Sequence, residues 1–590
     1  MSTQQRRYGA LAGIAAAAVA IGSAELVAVL TGARSAPLVA VGGVVVDLVP
    51  EPLKQFAIDV FGVHDKTALL VGTGVLLAGF AAVIGVRALR TPLVGYAGIA
   101  LFGLVGAIAA LTRPGAGVGA VLPSLVGAAL AAGVLRRLRA VLVPAPWPDA
   151  PLVQSTVPAL TGGRNLADTQ ELAGTQEVAE SREAVERREP AEAARGAVER
   201  REQAEAAREA VERRDPAEAA REAVERREQA DREDLAEGRR RFLTGVGVTL
   251  GAAALSGFGG RWITTRRGVS DARAAVTLPA PASPASPVPA GADLSLPQLA
   301  PYTTPNSQFY RIDTALVVPQ VDPGTWQLRI HGRVRNPITL SYADLLARPL
   351  IERDITLACV SNEVGGDLIG NARWLGVPLK DLLDQAGPLD DADQVVGRSA
   401  DGWTCGTPTA LMRDGRDAML AVGMNGEPLP VQHGFPVRVV VPGLYGYVSA
   451  CKWVVELELT RFSDFDAYWV PRGWAPEGPI KTQSRIDTPR PRNRLTPGPV
   501  TVAGVAWAQH RGIKQVEVQV DGGPWEQATL APSASVDTWV QWSWRWQATE
   551  GEHTLRVRAT DATGTTQPSQ PRPVAPDGAT GWHTTQVTVH

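Results

Sequence analysis

Three strings in the second half of the chain hold residue types that can bind a soft metal and an anion. They are Thr356-Leu-Ala-Cys359-Val-Ser-Asn362, His433-Gly-Phe-Pro-Val-Arg438-Val-Val-Val-Pro-Gly443 and the pair Lys452-Trp453. A cysteine thiolate is a soft ligand, and a buried arginine needs an anion or an acid as its partner. Taken alone, a cysteine after an apolar run is most often a small buried hydrophobe. The residue types therefore permit a thiolate-bound metal beside an anion without requiring one.

Residues 296–495 predict an α+β domain that would position these strings. Ser341 and Asp344 are spaced like a capping box that opens a short helix. Alternating and continuous apolar runs predict strands, and a periodic run predicts a second helix. The predicted strands are Trp326–Ile330, Asp354–Val360 and Val437–Val441, and the second predicted helix is Val377–Leu383.

Together with Ala372-Arg373-Trp374-Leu-Gly376-Val-Pro-Leu379, these strings resemble the molybdopterin-binding domain of the sulfite oxidase family. The resemblance implies a molybdenum–molybdopterin cofactor, with Cys359 as the metal ligand and Arg311 and Arg373 as substrate contacts. It further implies a cofactor site formed by Phe309, Tyr310, Arg311, Asp313, Asp401, His433, Arg438, Ser449 and Lys452. No haem or iron–sulfur cluster is expected, since three cysteines cannot supply the four thiolates of a standard cluster.

Two departures from the family pattern bear on the substrate. Glu363 and Val364 stand where sulfite oxidases carry paired arginines, and Asp313 stands where a histidine is usual. A sulfite dianion would meet a less positive pocket, with Tyr445 and Tyr447 as expected walls. Oxygen-atom transfer remains the expected chemistry. An S- or N-oxide reductase, acting for example on methionine sulfoxide, is the alternative that these changes favour.

The first quarter of the chain is nearly uncharged and predicts a membrane region. Residues 1–140 contain apolar runs that predict four transmembrane helices, since about 20 apolar residues span the hydrocarbon layer. The runs are Tyr8–Gly32, Thr67–Val86, Pro92–Leu111 and Gly115–Leu135. Ala36–Pro50 is shorter and predicts a surface or re-entrant segment. Over the whole chain, 58 basic and 60 acidic residues give no case for nucleic-acid binding.

Basic residues predict the topology of this region. Arg6 and Arg7, Arg87 and Arg90, and Arg136, Arg137 and Arg139 flank the helices on one side, which predicts a cytoplasmic amino terminus. Residues 141–237 then form a charged cytoplasmic spacer with a 13-residue repeat that has strong helix formers. Pro190 and Pro216 are expected to break the spacer helix.

Residues 238–262 predict a fifth transmembrane helix. It opens with Gly238-Arg-Arg-Arg-Phe-Leu-Thr244, which resembles a twin-arginine export signal. A plain helix with a basic flank is the alternative. A fifth crossing places residues 263–590 outside the cytoplasm. Residues 263–295 are rich in Pro and Ala and predict an extended stalk, with the folded region starting near Leu296.

Residues 498–590 contain short alternating runs separated by Gly and Asp turns, which predict an antiparallel β-sandwich. They resemble the immunoglobulin-like dimerisation domain of the same family, which implies a homodimer. Cys405 and Cys451 are candidates for a disulfide, although the sequence does not show their separation.

The complete prediction is a multi-domain protein with an all-α transmembrane bundle, an α+β molybdopterin domain and an immunoglobulin-like β-sandwich. Its function would be oxygen-atom transfer on a small oxyanion or an S- or N-oxide, by an enzyme anchored in the lipid bilayer of the cell. A separate electron carrier is needed, because the chain shows no second redox motif. A non-catalytic extracytoplasmic binding or adhesion module is the alternative from another class.

Overall fold

The structure is a computed structural model that describes residues 3–50, 53, 56, 60–61, 65–113, 116–142, 216–266, 268–491 and 493–590. Pro190 and the repeats before residue 216 lie outside the described residues. Within the described residues, five helices are long and apolar enough to cross a membrane, in agreement with the five predicted spans.

The apolar helices pack around the first one. Small residues on α1 let the neighbouring backbones come close: a Cβ at Gly13 or Gly22 would collide with the backbone of Ala81 or Ala253. Helix α1 thereby contacts α3, α5 and α6. The helices are α1 (Thr3–Thr31), α2 (Pro37–Leu48), α3 (Asp65–Ala88), α4 (Pro92–Leu111), α5 (Leu122–Leu142) and α6 (Pro216–Arg266).

Helix α6 is continuous over 51 residues and joins the spacer to the apolar run. The structure describes this helix from Pro216 onward. The last 13-residue repeat is helical, as predicted, and the arginine string lies within the same helix. Phe242 is fully buried against Tyr8, with ring centroids 5.1 Å apart. The expected boundary between residues 237 and 238 is therefore not an element boundary.

The Pro- and Ala-rich segment is packed on the next domain, in contrast to the expectation of a stalk before Leu296. It contains helix α7 (Ser270–Ala274), and the Ala282 N–H donates to the carbonyl of Leu350 at 2.8 Å. Ala292 is fully buried in the core of that domain. Extended backbone satisfies its polar groups against strand edges, so the composition that predicts a stalk also suits a surface strand.

The middle domain has α+β content built on two sheets. Its helices are α8 (Tyr342–Leu346), α9 (Leu379–Ala386) and α10 (Gly446–Ser449), and the predicted capping box of Ser341 and Asp344 is present at α8. The first sheet has the order β2-β1-β10-β5-β6, and the second has the order β3-β4-β7-β8, with β9 paired to β7. The strands are β1 (Gln327–Gly332), β2 (Ile338–Ser341), β3 (Ile351–Ala358), β4 (Ile369–Pro378), β5 (Gln394–Ser399), β6 (Thr404–Pro408), β7 (Met419–Met424), β8 (Glu427–Pro428), β9 (Arg438–Val440) and β10 (Val454–Thr460).

The C-terminal domain is rich in β-structure, with sheets of order β11-β13-β17-β16 and β12-β19-β18-β14-β15. Apolar residues from both sheets share one core, which includes Val502, Trp542 and Val557. The strands are β11 (Gln483–Thr488), β12 (Arg494–Leu495), β13 (Gly498–Trp507), β14 (Ile513–Val520), β15 (Trp525–Gln527), β16 (Thr529–Leu530), β17 (Val540–Ala548), β18 (Gly551–Asp561) and β19 (His583–Val589).

The two domains also share a core. Trp507 and Trp539 of the C-terminal domain are fully buried in the same apolar cluster as Leu444 and Tyr445 of the middle domain. Their boundary is therefore an apolar interface rather than a linker.

Candidate cofactor site

Cys359 follows the last residue of β3 and closes a loop. Its N–H donates to the carbonyl of Leu368 at 2.9 Å, so the chain between them turns back tightly. The side chain is buried, with 8% exposure. Burial raises the pKa of the thiol, whereas hydrogen bonds from Ser361 and the N–H of Val360 lower it. These donors face the position where a thiolate would hold its charge.

Two tyrosines and a lysine lie around Cys359. Lys452 acts electrostatically on the thiol, and Cys359 in turn acts on Tyr310 and Tyr445. Burial raises the pKa of Tyr445 to about 12, so its hydroxyl stays protonated at neutral pH. Tyr310 stacks on Phe309, with centroids 5.3 Å apart. The walls beside the sulfur are therefore aromatic and neutral, with one cation.

Arg438 is the most deeply buried cation of the site, with 5% exposure. Its guanidinium donates to the carbonyls of His433 and Ala450, at 3.2 and 3.4 Å, and lies 5.0 Å from the ring centre of Trp374. Its Nε has no hydrogen-bond partner among the described residues. Burial lowers the pKa of Arg438 to about 10, so it remains charged at neutral pH. A buried charge with an unused donor predicts an anionic ligand.

Lys452, Asp313 and Arg311 form a linked charge cluster. Asp313 Oδ2 lies 2.9 Å from Lys452 Nζ and 2.7 Å from Arg311 Nε. The Asp313 side chain is only 4% exposed, whereas that of Arg311 is 36% exposed. Burial lowers the pKa of Lys452 to about 8, and the carboxylate of Asp313 opposes that effect. The cluster carries a net single positive charge when all three groups are ionised.

His433 is neutral in this environment. Burial, followed by the charge of Arg438, lowers the pKa of His433 to about 4. Its Nε2 lies 3.1 Å from the carbonyl of Asn306 and must donate there, which leaves Nδ1 as an acceptor. Phe309 packs edge-on against this ring, with centroids 5.7 Å apart. Both side chains support the aromatic wall.

Ser449 and Asp401 are occupied by local hydrogen bonds. Ser449 is fully buried, and its hydroxyl contacts the carbonyls of Leu444 and Tyr445 at 3.2 and 2.9 Å. Asp401 accepts from the N–H of Trp403 in a turn. Both residues fix the backbone of segments that border the site.

Arg373 is the predicted residue that the structure does not bring to the others. It pairs with Asp354 across β3 and β4, through Nε at 2.9 Å and Nη2 at 2.8 Å. Asp354 precedes Cys359 by five strand positions, which is about 16 Å along an extended chain. The hydrogen bonds to Asp354 raise the pKa of Arg373. The guanidinium of Arg373 is therefore bound to the carboxylate of Asp354, at a distance from Cys359.

Cys405 and Cys451 lie together behind the site. Both are buried free thiols, and their sulfurs are 3.1 and 3.7 Å from the position of a Cβ built on Gly397. Burial and the neighbouring thiol raise the pKa of Cys451. Buried thiols in apolar surroundings are chemically inert, and the absence of a side chain at Gly397 makes room for both.

Comparison with known proteins identifies the family. The protein-family model for an oxidoreductase molybdopterin binding domain matches residues 315–469, and that for a bacterial Ig domain matches residues 483–557. Sulfite oxidase of Gallus gallus is 31% identical over 323 residues, which cover 46% of this chain and 70% of that enzyme. The chain belongs to the sulfite oxidase family.

Mitochondrial sulfite oxidase of Mus musculus is 32% identical to this chain over 323 residues. The match covers 46% of this chain and 58% of the mouse enzyme, so the chain spans little more than half of that relative. Among solved structures, the sulfane dehydrogenase SoxCD from Paracoccus pantotrophus is 26% identical, with a TM-score of 0.44. That match covers 50% of this chain and 84% of the other.

The residues present fit the cofactor that defines the sulfite oxidase family. The unpartnered Nε of Arg438 suits a phosphate oxygen, and the hydrogen-bond donors around Cys359 suit a metal-bound thiolate. The cations Arg438 and Lys452 are both within the part of the chain that matches the molybdopterin-binding domain.

Several residues that hold the loop after Cys359 in place are not predicted from the sequence. Asn362 accepts from the N–H of Leu368 at 2.8 Å and so holds the cysteine loop. Gly365 has φ +82°, and the adjacent glycines in the sequence are the signal that a tight turn lies there. Arg485 and His583 of the C-terminal domain contact the same loop, and nothing in the local sequence indicates it.

Proposed function

We propose that the chain is a membrane-anchored molybdenum-cofactor oxidoreductase that transfers an oxygen atom to or from a small substrate. The observation that carries this proposal is that Cys359 and Arg438 both lie close enough to Tyr310 to act on it electrostatically, while the Nε of the buried Arg438 has no partner among the described residues. Membership in the sulfite oxidase family supports it. A non-catalytic adhesion module would have no need of such a buried, unsatisfied cation.

The bound molybdenum–pterin group supplies two-electron redox chemistry and the oxygen atom that is exchanged. Cys359 is proposed to hold the metal, with its thiolate stabilised by the donors of Ser361. Arg438 and Lys452 would bind the anionic end of the pterin. Tyr310 and Tyr445 would exclude water from one side of the sulfur, since both are neutral, Tyr445 is buried and Tyr310 is partly buried.

The substrate side is proposed to include Arg311, the most exposed cation of the cluster around Asp313. Its charge is opposed by the buried Asp313, and Glu363 adds a second acid, which is exposed on the cysteine loop. A dianion such as sulfite is therefore attracted less than in a pocket lined by arginines. These two acids favour the second candidate, the reduction of a neutral S- or N-oxide on the same centre.

Location at the membrane is part of the proposal. Leu316 and Val317 lie three and four residues after Asp313 and pack against Ala28, Ala36 and Val39 at the end of α1 and the start of α2. Tyr468 donates to Asp47 of α2 at 3.3 Å. These contacts support a site that stands close to the helix ends, and an electron carrier that approaches along the membrane surface.

The proposed topology keeps the amino terminus and the spacer in the cytoplasm and residues 263–590 outside. The proposed units are the helical region 1–140, the spacer 141–237, the fifth span 238–262, the Pro-rich segment 263–295, the molybdopterin domain 296–495 and the Ig-like domain 498–590. The boundary between the last two needs a correction, because β11 and β12 pair with strands of the C-terminal domain and so belong to it. Homodimerisation through 498–590 remains part of the proposal, and analytical ultracentrifugation of the purified protein tests it.

Metal and pterin analysis of the purified full-length protein tests the proposed function. Cys359→Ala should lose oxygen-atom transfer, while Cys405→Ala, a buried cysteine replaced in the same way, should keep molybdenum, pterin and activity. A wild-type protein without molybdenum would contradict the proposal. So would a Cys359→Ala variant with full activity.

The direction of transfer is tested on the same preparation. Reduced enzyme should be reoxidised by methionine sulfoxide if the second candidate is right. Oxidised enzyme should be reduced by sulfite if the pocket accepts a dianion despite Asp313 and Glu363. The absorbance change of the centre reports both reactions.

A further inference from the structure

The loop between Cys359 and Leu368 is ordered by its own hydrogen bonds. The Asn362 N–H donates to the carbonyl of Cys359 at 3.1 Å, and the Gly366 N–H donates to that of Glu363 at 2.9 Å. The positive φ of Gly365 lets the chain reverse between them. A loop of this size still needs external contacts to fix it relative to the sheet, because its tip is solvent-exposed at Glu363.

Arg485 of β11 supplies one such contact from the C-terminal domain. Its Nη1 donates to the carbonyl of Gly366 at 2.6 Å. Its Nε lies 2.6 Å from Asp487 Oδ1, and both side chains are only 8% exposed. The carboxylate thus fixes the guanidinium, and the guanidinium fixes the loop backbone. A charge-assisted hydrogen bond at a buried site is stronger than a neutral one.

His583 of β19 supplies the second contact. A Cβ at Gly365 would overlap the imidazole ring, so the ring lies directly against the loop backbone. Its Nδ1 accepts from the N–H of Ile486 at 3.0 Å, which fixes the ring plane. Two strands of the C-terminal domain therefore hold two adjacent loop residues.

The strand that leads into the loop is held by the same domain. Thr356 N–H donates to the carbonyl of Asp537 at 2.9 Å, and the N–H of Trp539 donates to Thr356 Oγ1 at 2.8 Å. Gln509 Nε2 donates to the carbonyl of Thr356 at 3.1 Å. Thr356 lies three residues before Cys359, so the cysteine is anchored on both sides along the chain.

We propose that Arg485 and His583 are positioning residues of the cofactor site, through which the C-terminal domain sets the place of the loop from Cys359 to Leu368. The domain then has a second role beyond any association between copies of the chain. The assignment of this loop to the substrate side rests on the proposed function. The positioning itself rests on the contacts described above.

Amide hydrogen exchange on the full-length protein in detergent tests the proposal. Arg485→Met should speed exchange in the peptide that covers 360–368 by about tenfold, the loss expected for one charge-assisted hydrogen bond. Arg558→Met is the matched control, because Arg558 pairs with Glu517 at 2.8 Å on a strand of the same domain. It should leave this peptide unchanged. Unaltered exchange at 360–368 in Arg485→Met overturns the proposal.

Steady-state kinetics, with whichever substrate the enzyme turns over, distinguish a positioning role of Arg485 from a general loss of protein stability. Arg485→Met should raise KM about fivefold with kcat within about twofold, because the loop tip moves while Cys359 stays fixed at the end of β3. Arg485→Lys should restore part of the KM, since one donor remains. Equal losses in both Arg485 and Arg558 variants would contradict a positioning role.

Gly365→Ala is a second variant that leaves the pair of Arg485 and Asp487 intact. The added methyl group must displace the ring of His583, so exchange at 360–368 should rise, while β11 stays protected except at the Ile486 N–H that this ring accepts. Unchanged exchange in this variant also counts against the proposal. A wild-type protein without molybdenum would refute the proposed function alone, since the exchange measurements do not depend on activity.

Discussion

Lys452 Nζ and Asp313 Oδ2 lie 2.9 Å apart, in a buried ion pair at the mouth of the cofactor site. The two residues come from segments separated by 139 positions in the chain. Asp313 also binds Arg311, so one carboxylate restrains two cations. The net charge that a substrate meets therefore depends on Asp313 as much as on Lys452 and Arg311.

Asp313→Asn should release Arg311 toward the substrate. We expect KM for sulfite to fall about tenfold, the effect of one charge at partly screened range, while KM for a neutral sulfoxide stays within about twofold. Steady-state kinetics with both substrates measure this. Asp322→Asn, on a loop outside the site, is the control. An unchanged KM for the dianion would show that Asp313 does not limit its binding.

Arg438→Met should lower the pterin and molybdenum content of the folded protein about tenfold, because a buried anion loses its charge-assisted donor. Arg373→Met is the matched comparison. Its guanidinium is bound to Asp354, so the variant should keep its cofactor even if it is less stable. Elemental analysis and pterin fluorescence after denaturation report the two contents. Similar losses in both variants would place Arg373 in the site after all.

Arg239, Arg240 and Arg241 are predicted to act in export through their side-chain type rather than their charge. Replacing all three by Lys keeps the positive flank of α6, and should leave residues 296–590 inside the cell. Protease accessibility of a C-terminal tag in intact cells measures this. The same change at Arg136 and Arg137 is the control. Unchanged external exposure would remove the twin-arginine interpretation.

Asp561 is predicted to stabilise the C-terminal domain in a pH-dependent way. Burial would raise its pKa, but hydrogen bonds from Thr563, Arg511 and Thr482 outweigh that effect and lower the pKa to about 2. The stabilisation is complete above the unfolded pKa near 4 and is lost as the pH falls through about 2, so it amounts to about 2 kcal/mol at neutral pH.

Asp561→Asn should therefore lower the urea midpoint of tryptophan fluorescence at pH 7, and the difference from wild type should shrink below pH 4. Asp577→Asn is the control, since that carboxylate is 52% exposed. A difference that is constant from pH 7 to the acid limit would exclude the linkage.

The local sequence pattern predicts helices and strands well where residues close together in the sequence determine the element. The capping box at Ser341 and the buried strand around Arg438 are present as predicted, because capping and strand burial depend on neighbours in sequence. The predicted helix at Val377 begins two residues later, since Val377 and Pro378 pair with β7 and belong to β4. Pairing with a distant strand overrides local periodicity there.

Predictions from residue spacing fail where a partner far away in the sequence determines the contacts of a side chain or segment. Arg373 lies in a motif string beside the cysteine strand, but strand register gives it to Asp354. The Pro-rich segment buries Ala292, which composition alone does not indicate. Arg485 reaches Gly366 across 119 positions, and no local signal marks either residue as a partner of the other.

The outer edge of β3 is covered by two segments that are far apart in the sequence. Ser283 accepts from the Glu352 N–H along the first half, and Asp537 accepts from the Thr356 N–H along the second. During synthesis, the backbone of β3 is therefore fully paired only after Asp537 has been made, about 180 residues after Thr356. An exposed strand edge invites pairing with another chain. A nascent or truncated chain that lacks the last domain should accordingly self-associate, so completion of the strand that precedes Cys359 is among the last steps before the protein is finished.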